Sequence, residues 1–240
     1  MTRKWKSSRA CQKVILFMIK LVDIHKEFAL ADDVIYKALD GISTTIKEGE
    51  FASIIGPSGS GKSTLMQIIG LLDLPTSGRL YIRDTDVSKL NDDELSTLRN
   101  EAVGFVFQQF NLINKLSVLE NVLLPTIYAR KKMNYDVREH ALYLLKSFGI
   151  LDKQNSYPNR ISGGQQQRVA IARSLIMKPA LILADEPTGN LDTKTGDEIM
   201  RLLADLNTKE KITIIIVTHE PDIAAKTKRQ IKIVDGKIAN

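Results

Sequence analysis

Apolar positions along this 240-residue chain follow two periods, and the switches between them mark its elements. Residues 18–25 and 42–47 read as early strands. Phe51-Ala52-Ser53-Ile54-Ile55 is a short apolar run ending at Gly56, the pattern of a buried strand. A helix is expected from Lys62 to about Leu71, closed by the Pro, Ser and Gly residues within 75–78. Strands are expected near 79–82 and 103–107. The middle of the chain, about 109–160, reads as helical; Ala141, Leu144, Leu145 and Phe148 recur on one helix face. Leu181-Ile182-Leu183-Ala184 reads as a buried strand. Ile199, Leu202, Leu203 and Leu206 repeat the helical spacing, and 212–217 is a strand rich in β-branched residues. This alternation predicts a largely parallel sheet covered on both faces. The helical block at 109–160 interrupts it and reads as an inserted lobe.

Composition adds a size and a class. A hydrophobic fraction of 43% supports a sizeable core and excludes a disordered chain. The single cysteine, Cys11, excludes an internal disulfide framework or a cysteine zinc site and fits a reducing compartment. The net charge of +6 is local. Arg3, Lys4, Lys6, Arg9, Lys13 and Lys20 lie in a stretch without acids, and the remaining 28 basic residues balance 28 acidic ones. The body is therefore formally neutral, and charge gives nucleic-acid binding no support. The apolar run Val14-Ile15-Leu16-Phe17-Met18-Ile19 is too short to span a bilayer and lacks a signal-peptide cleavage pattern. No transmembrane helix is expected. Residues 1–17 read as an N-terminal extension outside the fold, with a weak membrane-surface anchor as the alternative.

Two motifs carry chemistry. Gly56-Pro57-Ser58-Gly59-Ser60-Gly61-Lys62-Ser63-Thr64 matches G-x-x-x-x-G-K-[ST] between an expected strand and an expected helix. Its glycines let the backbone close around anionic oxygens, and backbone N–H groups at the helix N-terminus face the anion. Lys62 suits the β- and γ-phosphates of ATP, and the Ser63 hydroxyl suits Mg²⁺. The strand at 181–184 ends in Asp185-Glu186-Pro187. Asp185 can hold Mg²⁺ through its hydration shell, and Glu186 can orient or deprotonate water. An Asp-Glu pair after a strand is ordinarily a solvated turn; the coexisting phosphate loop favours the functional reading.

A third motif, Ile161-Ser162-Gly163-Gly164-Gln165-Gln166-Gln167-Arg168, opens a helix. With the phosphate loop upstream and the acidic strand downstream, it resembles the signature sequence of ABC ATPases, with Ile161 where leucine is commonest. The resemblance covers residues 18–240. It implies an α/β fold: a P-loop NTPase (RecA-like) core with a mainly parallel sheet, an antiparallel β subdomain and the helical subdomain at about 109–160. Ser162, Gly163, Gly164 and Gln165 would then grip the γ-phosphate of an ATP bound by a second copy, giving a homodimer around two ATP and Mg²⁺. Gln108 resembles the Q-loop glutamine that touches Mg²⁺, with adjacent Gln109 as the alternative. Asn190-Leu191-Asp192 resembles the D-loop facing the partner, and His219 the switch histidine. Phe28 resembles the adenine-stacking aromatic, with Tyr36 as the alternative because residues 31–34 read as an insertion.

Gly104-Phe105-Val106-Phe107-Gln108-Gln109-Phe110-Asn111-Leu112 and Ala184-Asp185-Glu186-Pro187-Thr188-Gly189-Asn190-Leu191-Asp192 are similar to the macrolide-exporter and lipoprotein-release branch, known as MacB/LolD-type. That branch implies an ATPase at the cytoplasmic face of the cell membrane driving a separate permease. It implies export of a drug, peptide or lipoprotein-like substrate, an adaptor protein beyond the membrane, and no nucleic acid. The alternative is a non-transport ABC ATPase, either a cell-division FtsE-type regulator or a DNA- or ribosome-associated enzyme. DNA-repair relatives insert a long coiled coil, and no sustained heptad seam is present here.

Overall fold

The structure, a computed structural model, describes residues 17–29 and 35–239. The expected extension up to residue 16, with Cys11, and the expected insertion at 31–34 lie outside the described residues. In chain order the strands are β1 Phe17–Ala29, β2 Ile35–Lys47, β3 Phe51–Ile55, β4 Ser77–Ile82, β5 Thr85–Asp86, β6 Val103–Val106, β7 Leu181–Asp185, β8 Thr213–Thr218, β9 Arg229–Val234 and β10 Lys237–Ala239. The helices are α1 Lys62–Ile69, α2 Asp92–Ala102, α3 Val118–Leu123, α4 Val137–Ser147, α5 Gly163–Leu175, α6 Thr193–Glu210 and α7 Pro221–Ala224.

Two sheets form. One is antiparallel, in the order β2-β1-β4-β5; the other has the order β10-β9-β3-β8-β7-β6. In the second sheet β9, β3, β8, β7 and β6 run parallel, and β10 closes one edge antiparallel. The central strands are near-continuous apolar runs because both faces are covered. Their pleat sends alternate residues into two cores. Leu181, Leu183, Ile215 and Val217 join α1 and the antiparallel sheet. Ile182, Ala184, Ile214 and Ile216 join α3, α4, α5 and α6. A one-residue slip of β7 or β8 would exchange the two sets, so packing fixes the register.

That register aligns the chemistry. Ile55 pairs with Thr218, Asp185 with Val217, and Val106 with Ala184. Gly56, Glu186, His219 and Gln108 therefore leave the sheet at its C-terminal edge, where α/β sheets bind ligands.

Several elements differ from expectation. The block at 109–160 contains only α3 and α4 as α-helix, linked by short 3₁₀ turns and irregular chain. Asn121 organises that chain. It is fully buried, accepts from the Ile113 N–H and donates to the Ile113, Leu116 and Ser117 carbonyls. β1 begins at Phe17, one residue ahead of the expected boundary, and both hairpin strands extend well beyond the expected spans. Helix α2 and strands β9 and β10 were not anticipated. α2 buries only Leu95 of its own residues, so its periodic signal is weak, but Asn91 and Glu94 form a full capping box. β9 and β10 are joined by Asp235-Gly236, both at positive φ, a recognisable hairpin turn.

At Gly104 the backbone of β6 packs tightly against α5. A Cβ there would lie 2.4 Å from the Ser174 carbonyl oxygen. Gly104→Ala is expected to cost about 1–3 kcal/mol, read as a lower urea midpoint with an unchanged slope.

Candidate active site

Strand β3 delivers the chain into the phosphate loop. Gly56 and Gly61 allow its path: a Cβ would lie 2.1 Å from the Ile233 carbonyl oxygen at Gly56 and 2.5 Å from the Ala38 carbonyl oxygen at Gly61. Gly61 has φ of 100° and occupies the N-cap of α1, where no side chain competes for the free N–H groups. Helix α1 then carries Lys62, Ser63 and Thr64 at its start. Lys62 is largely buried and folds back, donating to the Gly56 and Pro57 carbonyls at 2.9 and 2.7 Å. These bonds satisfy the ammonium from within its own loop and place it at the mouth of the cradle.

A cavity of about 320 Å³ opens over this loop. Its walls include Ser58, Gly59, Gly61, Lys62, Ser63, Thr64, Gln108, Asp185, Glu186 and His219. With these residues four separate chain segments converge on it. A larger cleft of about 780 Å³ lies between α4 and the C-terminal half of α6. It contains none of the phosphate-loop residues, so chemistry and not size identifies the site.

Asp185 ends β7. Burial, then the neighbouring Glu186, push its pKa up, while Lys62 opposes the shift. A cation beside it would reverse that balance. Glu186 has φ of 42°, a sparsely populated conformation for a side chain of its size, and several bonds hold it. Its N–H donates to the Val217 carbonyl at 2.9 Å. One carboxylate oxygen accepts from the Thr218 hydroxyl at 2.9 Å. The other accepts from the His219 backbone N–H at 3.0 Å and lies 2.6 Å from His219 Nδ1. Thr218 was not anticipated as a site residue; only its place next to His219 pointed to it.

Gln108 follows β6 and faces the cavity, whereas Gln109 is exposed and lies outside it, which favours Gln108. Its carbonyl accepts from Asn190 Nδ2 at 2.9 Å. The next residues, Phe110 and Asn111, both have positive φ, and Arg173 of α5 fastens their carbonyls. Arg173 is deeply placed, and burial lowers its pKa. Nothing in the linear pattern linked Arg173 to this turn; the two meet only through packing of α5 on β6.

Two expected groups lie apart from the cavity walls. Ser162 is the N-cap of α5: its hydroxyl accepts from the Gln165 N–H at 3.3 Å, and the Gln165 side chain accepts from the Ser162 N–H at 3.0 Å. Neither residue, nor Gly163 or Gly164, lines the cavity of its own chain. Asp192 caps α6, accepting from the Thr195 N–H at 3.0 Å and the Thr195 hydroxyl at 2.6 Å. Those bonds lower its pKa.

The aromatic alternatives prove to be neighbours. Phe28 and Tyr36 pair directly across β1 and β2, which puts both side chains on one face. Tyr36 reaches the cavity, with its hydroxyl 3.4 Å from the Gly59 carbonyl oxygen. Phe28 is not among the lining residues, and the Lys26 ammonium sits 5.1 Å from its ring centre.

Comparison with known proteins gives a consistent result. Residues 39–189 match the family described as ABC transporter. The chain is 51% identical to a macrolide export ATP-binding/permease protein MacB of Chlorobaculum tepidum, over 93% of this chain and 34% of that protein. It thus spans about a third of that relative. It is 45% identical to the lipoprotein-releasing system ATP-binding protein LolD 1 of Rhodopseudomonas palustris, covering 92% of this chain and 98% of that one. A solved dimeric ATP-binding cassette in a post-hydrolysis state, bound to ADP and Pi, superposes with a TM-score of 0.84 at 47% identity. The overlap covers 93% of this chain and 97% of that structure's chain. A phosphate loop, an acidic strand end and a signature helix on this fold, with these relatives, place the chain in the ABC transporter family as one of its ATP-binding, ATP-hydrolysing cassettes.

Proposed function

We propose that two copies of this chain close around two ATP molecules and that the resulting motion drives export through a separate membrane permease. One observation carries this reading. Lys62, Gln108, Asp185, Glu186 and His219 share a cavity that the Ser162 turn of the same chain does not enter. A helix N-terminus suited to an anion is thereby left for a phosphate held elsewhere. The dimeric ADP- and Pi-bound relative supports a two-chain arrangement.

Within each site, Lys62 exchanges its two carbonyl partners for β- and γ-phosphate oxygens. Adenine packs against the Phe28–Tyr36 pair, with Tyr36 nearer the loop. Ser63, Gln108 and Asp185 present a hydroxyl, an amide and a carboxylate to one cavity, an oxygen donor set that fits Mg²⁺. Among the described residues no cluster of three or more His, Cys, Asp or Glu could hold a metal. That suits an ion that takes its other donors from phosphate and water. Bound there, Mg²⁺ would neutralise phosphate charge. Glu186 accepts a proton from the attacking water, and Thr218 and His219 aim its two oxygens. His219 is exposed enough to turn toward the γ-phosphate. Catalysis is then mainly electrostatic positioning of a loose transition state. Hydrolysis removes the group that both chains grip, and the dimer opens.

No helix among the described residues is long and apolar enough to cross a membrane. In this reading a separate membrane-spanning permease supplies the path for substrate, and the cassette sits against it at the cytoplasmic face of the cell membrane. Residues 108–119 receive one of its helices. Ile113 is exposed there, on a turn that Asn121 holds firm. The names of the relatives, macrolide export for MacB and lipoprotein release for LolD, support export of a drug or lipoprotein-like cargo; a peptide cargo and an adaptor beyond the membrane are further parts of the proposal.

Three substitutions test these roles. Lys62→Ala should weaken ATP binding by about ten- to a hundredfold, measured by calorimetry, through loss of charge-assisted bonds. Glu186→Gln should retain ATP binding and cut turnover by about 10²–10⁴-fold, trapping a dimer visible by size-exclusion chromatography. Ser162→Arg in the Glu186→Gln background should leave ATP bound to monomers; a dimer of unchanged yield would refute the two-chain site.

A further inference from the structure

We propose that Gln167 is a positioning residue for Glu186, tying the signature helix to the catalytic carboxylate of the same chain. This rests on the reading of Glu186 given above. Gln167 is fully buried in α5, and its Nε2 donates to the Pro187 carbonyl at 2.7 Å. That carbonyl belongs to the residue immediately after Glu186. Proline has no N–H, so the carbonyl is the one hydrogen-bonding group Pro187 offers. Glu186 holds a costly positive φ, which persists only where the surroundings over-determine it. Its own N–H and carbonyl are fixed by Val217 and by the Gly189 N–H. Gln167 supplies the bond on the next residue and thereby sets the path by which the chain leaves Glu186.

The other end of the same amide shows that packing alone does not explain this side chain. Gln167 Oε1 is buried with no hydrogen-bond partner among the described residues. An unsatisfied buried oxygen costs free energy that an apolar side chain would avoid, so what an amide adds at this position is its bond to Pro187. Among the described residues the amide's only hydrogen bond is the one to Pro187. Ser162, at the start of the same helix, lies five residues away, about 7.5 Å along the axis. A helix is stiff over that span. A γ-phosphate seated against Ser162 by the opposite copy is thus linked to the setting of Glu186 in this one.

The test compares full-length Gln167→Met, which keeps length and loses the donor, with wild type and Glu186→Gln. Saturating Mg-ATP turnover, KM for ATP and the thermal midpoint are measured. Gln167→Met should lower kcat about tenfold with KM near wild type, and the Pro187 carbonyl left without its donor should lower the midpoint by about 2–10 °C, still well above the assay temperature. In the Glu186→Gln background it should change the residual rate by less than about twofold, because it acts through that carboxylate. Normal kcat in Gln167→Met overturns the proposal. So does a kcat loss matched by loss of folded protein at the assay temperature, or a full tenfold loss repeated in the Glu186→Gln background. If wild type fails to hydrolyse ATP, or Glu186→Gln turns over normally, the proposed site itself is wrong. If both controls hold and only the Gln167→Met result fails, this inference alone falls.

Discussion

A triphosphate concentrates several negative charges in a small volume, and a folded chain meets them only with dipoles and cations that are already in place. Everything distinctive in this structure follows from that constraint. The phosphate loop is a peptide path closed to side chains, because carbonyls of β2 and β9 pass within 2–3 Å of where a Cβ would lie at Gly56 and Gly61. The loop can take that path because β3 beneath it is locked between β8 and β9. Strands buried on both faces cannot slide without exchanging two hydrophobic cores, so the groups at their ends are held in fixed relation.

The same constraint gives the acidic side of the site its character. Two carboxylates, Asp185 and Glu186, stand side by side near a buried sheet edge, and burial already disfavours charge on the first. The second is restrained at both oxygens by Thr218 and His219, on the adjoining strand and its exit. The surrounding bonds offset the conformational cost of this arrangement, which gives the proposed cation and attacking water a preorganised setting. Helix α5 binds this region together. It begins at the Ser162 turn, touches the Glu186 loop through Gln167, and fastens the turn after Gln108 through Arg173. Movement of that helix cannot leave either neighbour undisturbed.

The antiparallel sheet and the helical lobe extend this logic outward. Phe28 and Tyr36 form an aromatic face beside the loop because they pair across one hairpin. Asn121 uses four hydrogen bonds to turn an irregular segment into a defined surface beside Gln108. An irregular chain of this kind has no ladder of its own, and a buried amide replaces one.

Local order in the sequence determined a great deal. Apolar runs located β3, β7 and β8, glycine spacing located the phosphate loop, and the order of three motifs identified the family. These signals are legible because each resides in consecutive residues whose chemistry is local. The hairpin at Asp235-Gly236 and the Asn91–Glu94 cap of α2 were legible too, by turn and capping signals rather than periodicity. Tertiary structure alone decided the rest. It put Gln108 rather than Gln109 in the cavity and set Tyr36 nearer the loop than Phe28. It also joined Gln167 to Pro187 and Arg173 to the carbonyls at 110 and 111, across 20 and more than 60 residues. A hydrogen bond to a backbone carbonyl leaves no mark on the identity of the residue that accepts it, so only the folded chain reveals it.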